Sequence, residues 1–176
     1  MATKKTSIFT LTERITLDTD ATETFATIDL GSYVDVGDRQ AIQVHSVDYI
    51  FQGSTATSNF PSLQFGANQG RAVVQVTDLN RGGLVFADDR ALVSSGAYNY
   101  DAAGYISNEA DLYPDNFGKG SDDGRYVVND ALYLTGYVNG LAAGSINVTV
   151  RVNASIVSLT AKDFMAIAIQ STAADN

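Results

Sequence analysis

Acidic side chains concentrate in residues 96–125, and carboxylates are the groups in this segment that could do chemistry. The carboxylates are Asp101, Glu109, Asp111, Asp115, Asp122 and Asp123, opposed before Arg125 only by Lys119. Calcium and similar hard cations bind about six to eight oxygen ligands. The spacing matches neither an EF-hand nor another regular aspartate ladder, which favours a solvated acidic loop. If a cation binds, we expect it between neighbouring subunits, with Asp122 and Asp123 as first ligands. Calcium is therefore the one candidate cofactor, and otherwise we expect none.

The only imidazole in the chain is His45, with Asp48 three residues further on. No motif for a serine or cysteine nucleophile accompanies it, and the chain has no cysteine. The signatures of zinc metalloproteases, phosphate-binding loops and dinucleotide-binding folds are also missing from the sequence. We therefore expect a structural histidine and a protein that is not an enzyme.

Aromatic side chains share the acidic segment. They are Tyr98, Tyr100, Tyr105, Tyr113 and Phe117. Tyrosine is enriched at protein interfaces because it combines apolar area with a hydrogen-bonding hydroxyl. Stacking on nucleic-acid bases would need basic neighbours, and a chain with a net charge of −9 repels phosphate backbones. These five residues are the predicted assembly interface, and direct binding of nucleic acid is not expected.

The composition indicates the class of protein and the number of domains. A length of 176 residues with 45% hydrophobic residues fits one folded domain. Only 18% of the residues are charged, which suits a protein whose surface is partly covered by neighbours. No apolar signal region or membrane-spanning stretch is present, so we expect synthesis and folding in the cytosol and no transmembrane segment.

Alternation of apolar and polar residues predicts an all-β protein. It is strictest over residues 145–159, where successive side chains point to opposite faces of one long strand. Strands are predicted near residues 7–18, 23–30, 41–52, 63–65, 72–79, 84–87, 126–138 and 145–159. Within 41–52 the apolar phase switches, which predicts a β-bulge. Residues 89–95 fit either a strand or a helical turn.

Two segments depart from the strand pattern. Residues 96–125 have little periodicity and are predicted to be a long loop at an interface. Thr160 and Asp163 resemble a helix capping box, and the apolar residues that follow predict a short helix over 160–170. The predicted organisation is a single domain over 1–176, with a flexible arm at 1–6 and a tail at 171–176. About eight strands at this spacing indicate an antiparallel β-sandwich, such as a jelly roll, with a short C-terminal helix.

Three consecutive stretches resemble the closing elements of a viral jelly-roll coat protein: YVVNDALYLTGYV, SINVTVRVNASIVSL and TAKDFMAIA. In size and in the near-absence of a basic arm, the chain resembles the single jelly-roll major capsid proteins of tailless icosahedral viruses of bacteria and archaea. The resemblance implies a building block of capsomers whose loops contact neighbouring subunits, without catalysis. It also implies location in the virion, in some members above an internal membrane.

The sequence therefore favours a capsid protein that assembles with itself, and a second coat protein is a further candidate partner. One alternative is a carbohydrate-binding jelly roll assisted by calcium, because such modules also present aromatic and acidic side chains. Another is the subunit of a surface filament or fibre. An enzyme comes last, since a cupin-like barrel would need several histidines for its metal.

Overall fold

The computed structural model describes residues 3–35, 37–55, 58–59, 69–101, 105–112, 124–141 and 144–172. Within these residues the chain forms eleven strands and one helix. The strands are β1 (Thr3–Lys4), β2 (Phe9–Leu17), β3 (Glu23–Asp29), β4 (Gln40–Thr55), β5 (Ser58–Asn59), β6 (Gly70–Thr77), β7 (Leu92–Tyr100), β8 (Ile106–Leu112), β9 (Arg125–Val127), β10 (Ala131–Asn139) and β11 (Ser145–Ser158). The helix α1 spans Ala161–Thr172.

The strands form two antiparallel sheets. In the first sheet, β11 lies between β2 and β4, and β9 pairs with the far edge of β4; β1 and β5 extend the two edges. The second sheet has the order β3-β10-β6-β7-β8. Without the two-residue strands β1 and β5 and the edge strand β8, the strand orders of the two sheets are β2-β11-β4-β9 and β3-β10-β6-β7. Most strands that are consecutive in the sequence lie in opposite sheets. This is the double Greek key of a jelly roll, which confirms the predicted fold class.

The core lies between the two sheets and is built by strand alternation. In β11 the residues Ile146, Val148, Val150 and Val152 are buried, while Arg151 between them is exposed. They pack in one cluster with buried side chains of β6 and β10 from the second sheet. At Gly136 the sheets approach so closely that a Cβ atom would lie 2.5 Å from Leu17 Cδ2.

The predicted bulge is confirmed, and it falls on His45. Along the β4–β11 pair, Ser46 is the partner of Asn153 and Val44 is the partner of Ala154. One residue of β4 therefore has no counterpart on β11 at this point. An extra residue inverts the phase of the side chains that follow, which accounts for the switch visible in the sequence.

The C-terminal helix is also confirmed. The Thr160 hydroxyl accepts a hydrogen bond from the Asp163 N–H at 3.2 Å, as expected of a helix N-cap. Phe164 is buried against Ala41, Val128 and Val157, so the helix closes one end of the sandwich.

The predicted strand at 84–87 is wrong. These residues have no regular secondary structure, because their backbone groups bond to side chains of neighbouring strands instead of to a strand ladder. The predicted strand at 126–138 is two strands, β9 in the first sheet and β10 in the second, and the chain crosses between the sheets at residues 128–130. Of residues 89–95, those from Leu92 onward begin β7. The predicted strand at 63–65 lies outside the described residues.

The first half of the segment 96–125 differs from the predicted loop. Residues 96–100 belong to β7, and residues 106–112 form β8, its antiparallel partner. The side chains of residues 106–109 are exposed, so this part of β8 has no buried face and leaves no apolar alternation in the sequence. Residues 113–123 lie outside the described residues.

Candidate interaction surfaces

The aromatic residues singled out from the sequence occupy different environments. Tyr98 is half-buried, and its ring lies 6.1 Å from that of Phe51, so it contributes to packing between the sheets. Tyr100 is also half-buried and pairs with Ile106 across the hairpin. Tyr105 is 75% exposed. Tyr113 and Phe117 lie outside the described residues. Of the three that the structure describes, Tyr105 is the one free to contact a neighbour.

Tyr105 lies at the tip of the β7–β8 hairpin, next to Ile106, which is 59% exposed. Asp101 holds the tip through two hydrogen bonds. Its carboxylate accepts the Tyr105 N–H at 2.9 Å, and its own N–H donates to the Tyr105 carbonyl at 3.1 Å. Two exposed apolar side chains therefore lie at the start of β8, beside a residue that is bonded to the end of β7.

The candidate cation ligands Asp122 and Asp123 lie outside the described residues. Within the described ranges there is no cluster of three or more histidine, aspartate or glutamate side chains suited to a metal. Calcium binding to the acidic segment therefore stays a prediction.

His45 is held at the bulge by a buried partner. Its Nε2 atom lies 2.9 Å from the Ser155 hydroxyl, and Ser155 has no solvent exposure. Burial lowers the pKa of His45, and the nearby charge of Lys4 lowers it further. A substrate could not reach the Ser155 hydroxyl, so this pair has the character of a structural contact.

Sequence reasoning missed the most exposed large apolar side chain that the structure describes. Phe86 is 88% exposed and lies in the loop of residues 78–91, which joins β6 to β7. The sequence signal was an apolar run between Gly82-Gly83 and Asp88-Asp89. Its composition predicts a strand, not an exposed aromatic residue in a loop.

Side chains of the second sheet hold the middle of the 78–91 loop. Gln75 makes two hydrogen bonds to Val85: its amide donates to the carbonyl at 2.9 Å and its oxygen accepts the N–H at 2.8 Å. Glu23 accepts the Leu84 N–H at 3.1 Å. Gln75 lies between two inward-facing valines, so it points outward, yet it is only 8% exposed. It is buried because the loop lies over it.

Ion pairs fix the two ends of the loop. Asp78 and Arg125 approach to 2.9 Å with side-chain exposures of 3% and 13%, and Arg125 also donates to the Arg90 carbonyl. Burial raises the pKa of Asp78, and the attraction of Arg125 offsets part of that rise. Arg81 and Asp89 form a second pair at 3.1 Å. The loop is thus braced along its length, and Phe86 projects from a fixed backbone.

A second exposed phenylalanine lies on the same face of the sandwich. Phe25 in β3 is 54% exposed, and it faces away from the core because its neighbour Ala26 packs against the core cluster. The register places Phe25 opposite Thr135 and Thr135 opposite Gln75. Phe25 and the braced loop therefore share the outer face of the second sheet, where the loop reaches from Gln75 on β6 across β10 to Glu23 on β3.

The helix carries a further apolar surface. Phe164, Ile167 and Ala168 face the domain, whereas Met165 and Ile169 are each 58% exposed and lie one helical turn apart. A helix that is apolar on both faces is usually covered on both sides.

Within the part of the chain that the structure describes, no helix has both the length and the apolar character required to cross a membrane. No protein-family model matches the chain, and no curated protein matches its sequence. Among solved structures, the chain is similar to one from Desmodium yellow mottle tymovirus, with a TM-score of 0.39 and 10% sequence identity over 88% of this chain and 90% of the other. Because this similarity is low, the functional proposal rests on the surfaces described above.

Proposed function

We propose that the protein is a structural subunit that assembles with itself into the icosahedral shell of a virus, and that it has no enzymatic role. One observation carries the proposal: exposed apolar side chains lie at three separate places on one jelly roll. They are the hairpin tip with Tyr105 and Ile106, the outer face of the second sheet with Phe25 and Phe86, and the outer side of α1 with Met165 and Ile169.

The three surfaces point toward different neighbours. The hairpin tip follows Tyr100 at the end of β7, whereas Gln75, which holds the 78–91 loop, pairs with Ser95, five residues or about 17 Å back along that strand. The helix follows β11, in the first sheet, and packs at residues of β4 and β11. One partner could not cover all three surfaces, whereas a closed lattice requires several contacts per subunit. A linear fibre would need only two, so the third surface favours a shell.

Weak contacts suit this function. Two exposed side chains per surface offer far less than the roughly 800 Å² per partner of a standard stable interface. Each contact alone is therefore weak, and the particle gains stability from their number. The proposed partners are further copies of this chain and, as a second candidate, another coat protein, without direct contact to nucleic acid. The proposed location is the virion, after synthesis in the host cytoplasm.

The test is the mass and shape of the expressed protein, measured by size-exclusion chromatography with light scattering and by negative-stain electron microscopy. Low and high salt and added calcium should each be tried. Shells, rings or defined capsomers support the proposal, and calcium dependence would implicate Asp122 and Asp123. A dispersed monomer in every condition would contradict it, and a glycan array would then test the carbohydrate-binding alternative.

Two substitutions separate assembly from folding. Tyr105→Asp and Met165→Asp each place a charge on one proposed contact surface without touching the core. Thr12→Asp is the matched control, because Thr12 is an exposed residue of β2 on the first sheet. We expect the first two variants to remain folded and to lose particles, and the control to retain them.

A further inference from the structure

The helix α1 and the 78–91 loop lie on opposite faces of the sandwich, at the same end. The helix packs on Ala41 and Val157, a cross-strand pair of the first sheet that lies outside the core between the sheets. The loop crosses the outer face of the second sheet. At its start, the Asp78 carbonyl accepts a hydrogen bond at 2.6 Å from Asn129, the residue after the helix contact Val128. Because two sheets about 10 Å apart separate the helix from the loop, their exposed side chains cannot meet within one chain.

Four exposed residues on the outer side of α1 surround a hole in the helix surface. They are Lys162, Met165, Ala166 and Ile169, at positions i, i+3, i+4 and i+7 of the helix. Four residues in this arrangement form the hole that receives a side chain when another element packs against a helix. Ala166 is the smallest of the four and leaves room at the centre, and the flexible Met165 can adjust to an aromatic ring.

The 78–91 loop carries a side chain that suits this hole. Phe86 is 88% exposed, and it follows Val85, whose backbone Gln75 holds. The Phe86 carbonyl accepts the Asp89 N–H at 3.1 Å, and Asp89 is in turn paired with Arg81. Because the backbone on both sides is already fixed, the side chain can bind at a low cost in conformational entropy.

We propose that Phe86 of one copy inserts into the α1 hole of the next copy, so that copies associate front to back. The side chain and the hole lie on opposite faces of the sandwich, so each copy uses them with two different neighbours. Such a heterologous contact closes into a ring where the rotation between copies permits. A ring of this kind would serve as a capsomer. The inference therefore rests on the proposed shell and names the partner of two of its surfaces.

Charge complementarity favours a second copy as the occupant. Lys162 is the one charged residue of the hole, and the N-terminus of α1 adds partial positive charge beside it. Asp88 is exposed and lies two residues after Phe86. Arg90, also exposed, lies two residues further on, nearer the start of β7. Insertion of Phe86 therefore brings a carboxylate toward the positive end of the helix.

The expected strength follows from the exposed area. A phenylalanine side chain can bury about 150–250 Å², so Phe86 at 88% exposure offers about 130–220 Å². A standard stable interface buries about 800 Å² per partner. One contact alone is therefore weak, and a ring gains strength because each copy makes the contact twice. Cross-linking captures such a contact under conditions where no stable dimer forms.

The absence of cysteine from the sequence allows a direct test. Ala87→Cys and Ala161→Cys are made separately, with tags of different mass, and are treated with a short bis-maleimide alone and as a mixture. Both positions are exposed, Ala87 beside Phe86 and Ala161 one helical turn before Met165, so the contact itself stays intact. The proposal predicts a mixed dimer in several-fold excess over either same-variant dimer. Thr12→Cys mixed with Ala87→Cys is the matched control, because Thr12 is exposed on the first sheet but pairs with the middle of β11, away from the helix.

A second pair of variants tests the role of Phe86. In the Ala87→Cys copy, Phe86→Ala should lower the amount of mixed product several-fold. Phe25→Ala truncates the other exposed phenylalanine of the same face and should leave that amount unchanged. Both side chains are more than half exposed, so thermal melts of the variants should match the parent and exclude misfolding as the cause.

Three results would overturn the proposal: a mixed product at the level of the control, same-variant dimers in equal or greater amount, or an equal loss from both phenylalanine variants. The outcome is separable from that of the proposed function. Particles without the mixed cross-link refute the front-to-back contact alone, and the mixed cross-link without particles refutes the shell alone.

Discussion

Replacing Gln75 with alanine tests whether one side chain holds the 78–91 loop in place. The substitution removes both hydrogen bonds to Val85, at 2.8 and 2.9 Å, without removing any core side chain. Each bond contributes about 1 kcal/mol net, and backbone groups left buried without partners cost about 1–3 kcal/mol each. Because the freed loop can turn its Val85 groups toward water, we expect a loss of about 2 kcal/mol in the free energy of unfolding, and at most about 4.

Two measurements check this expectation. Urea denaturation, at a protein concentration low enough to prevent association, gives the loss in the free energy of unfolding. Amide hydrogen exchange at Val85 and Leu84 reports whether the loop has opened. Gln52→Ala is the matched control, because Gln52 is also a glutamine within a strand, but it is half-buried and lies in the first sheet, opposite Asn147. We expect that variant to lie within about 0.5 kcal/mol of the parent. If Gln75→Ala also stays within that range and the Val85 amide stays protected, the side chain does not brace the loop.

Three further predictions concern the base of the loop, the contact between the sheets and the bulge. Asp78→Ala leaves the Arg125 guanidinium buried without its carboxylate, so we expect a loss of about 3–5 kcal/mol in urea denaturation, and a smaller loss would mean that water reaches Arg125. Gly136→Ala places a methyl group against Leu17, and we expect it to lower the free energy of unfolding by about 1–3 kcal/mol. An unchanged free energy of unfolding would indicate that the two sheets can move apart to make room. The pKa of His45 is lowered in the folded state, so the unfolded chain binds the proton more readily and the stability from this residue is lost as pH falls below its ordinary pKa of 6.5. His45→Asn should flatten the pH dependence of the free energy of unfolding in that range. If the slope against pH is unchanged, other titrating groups cause the pH dependence.

The sequence predicted secondary structure best where one face of a strand is buried and the other is exposed to solvent. In β11 the buried Val148, Val150 and Val152 alternate with polar residues, and the pattern predicts the strand directly. The bulge at His45 was equally visible, because an extra residue inverts the phase of the apolar positions. These signals are local, and they were sufficient for the fold class.

The surfaces were less predictable, because their determinants are distant in the sequence. The apolar run at 84–87 has the composition of a strand, but Glu23 and Gln75 occupy the backbone groups that a strand would use. Glu23 is 61 positions from Leu84 and Gln75 is 10 positions from Val85, so neither contact is visible in a local alternation of residues. Tyr98 was predicted as an interface residue from its type, whereas the register places it against Phe51. Composition therefore indicated that the chain has contact surfaces, and only the pairing of strands locates them.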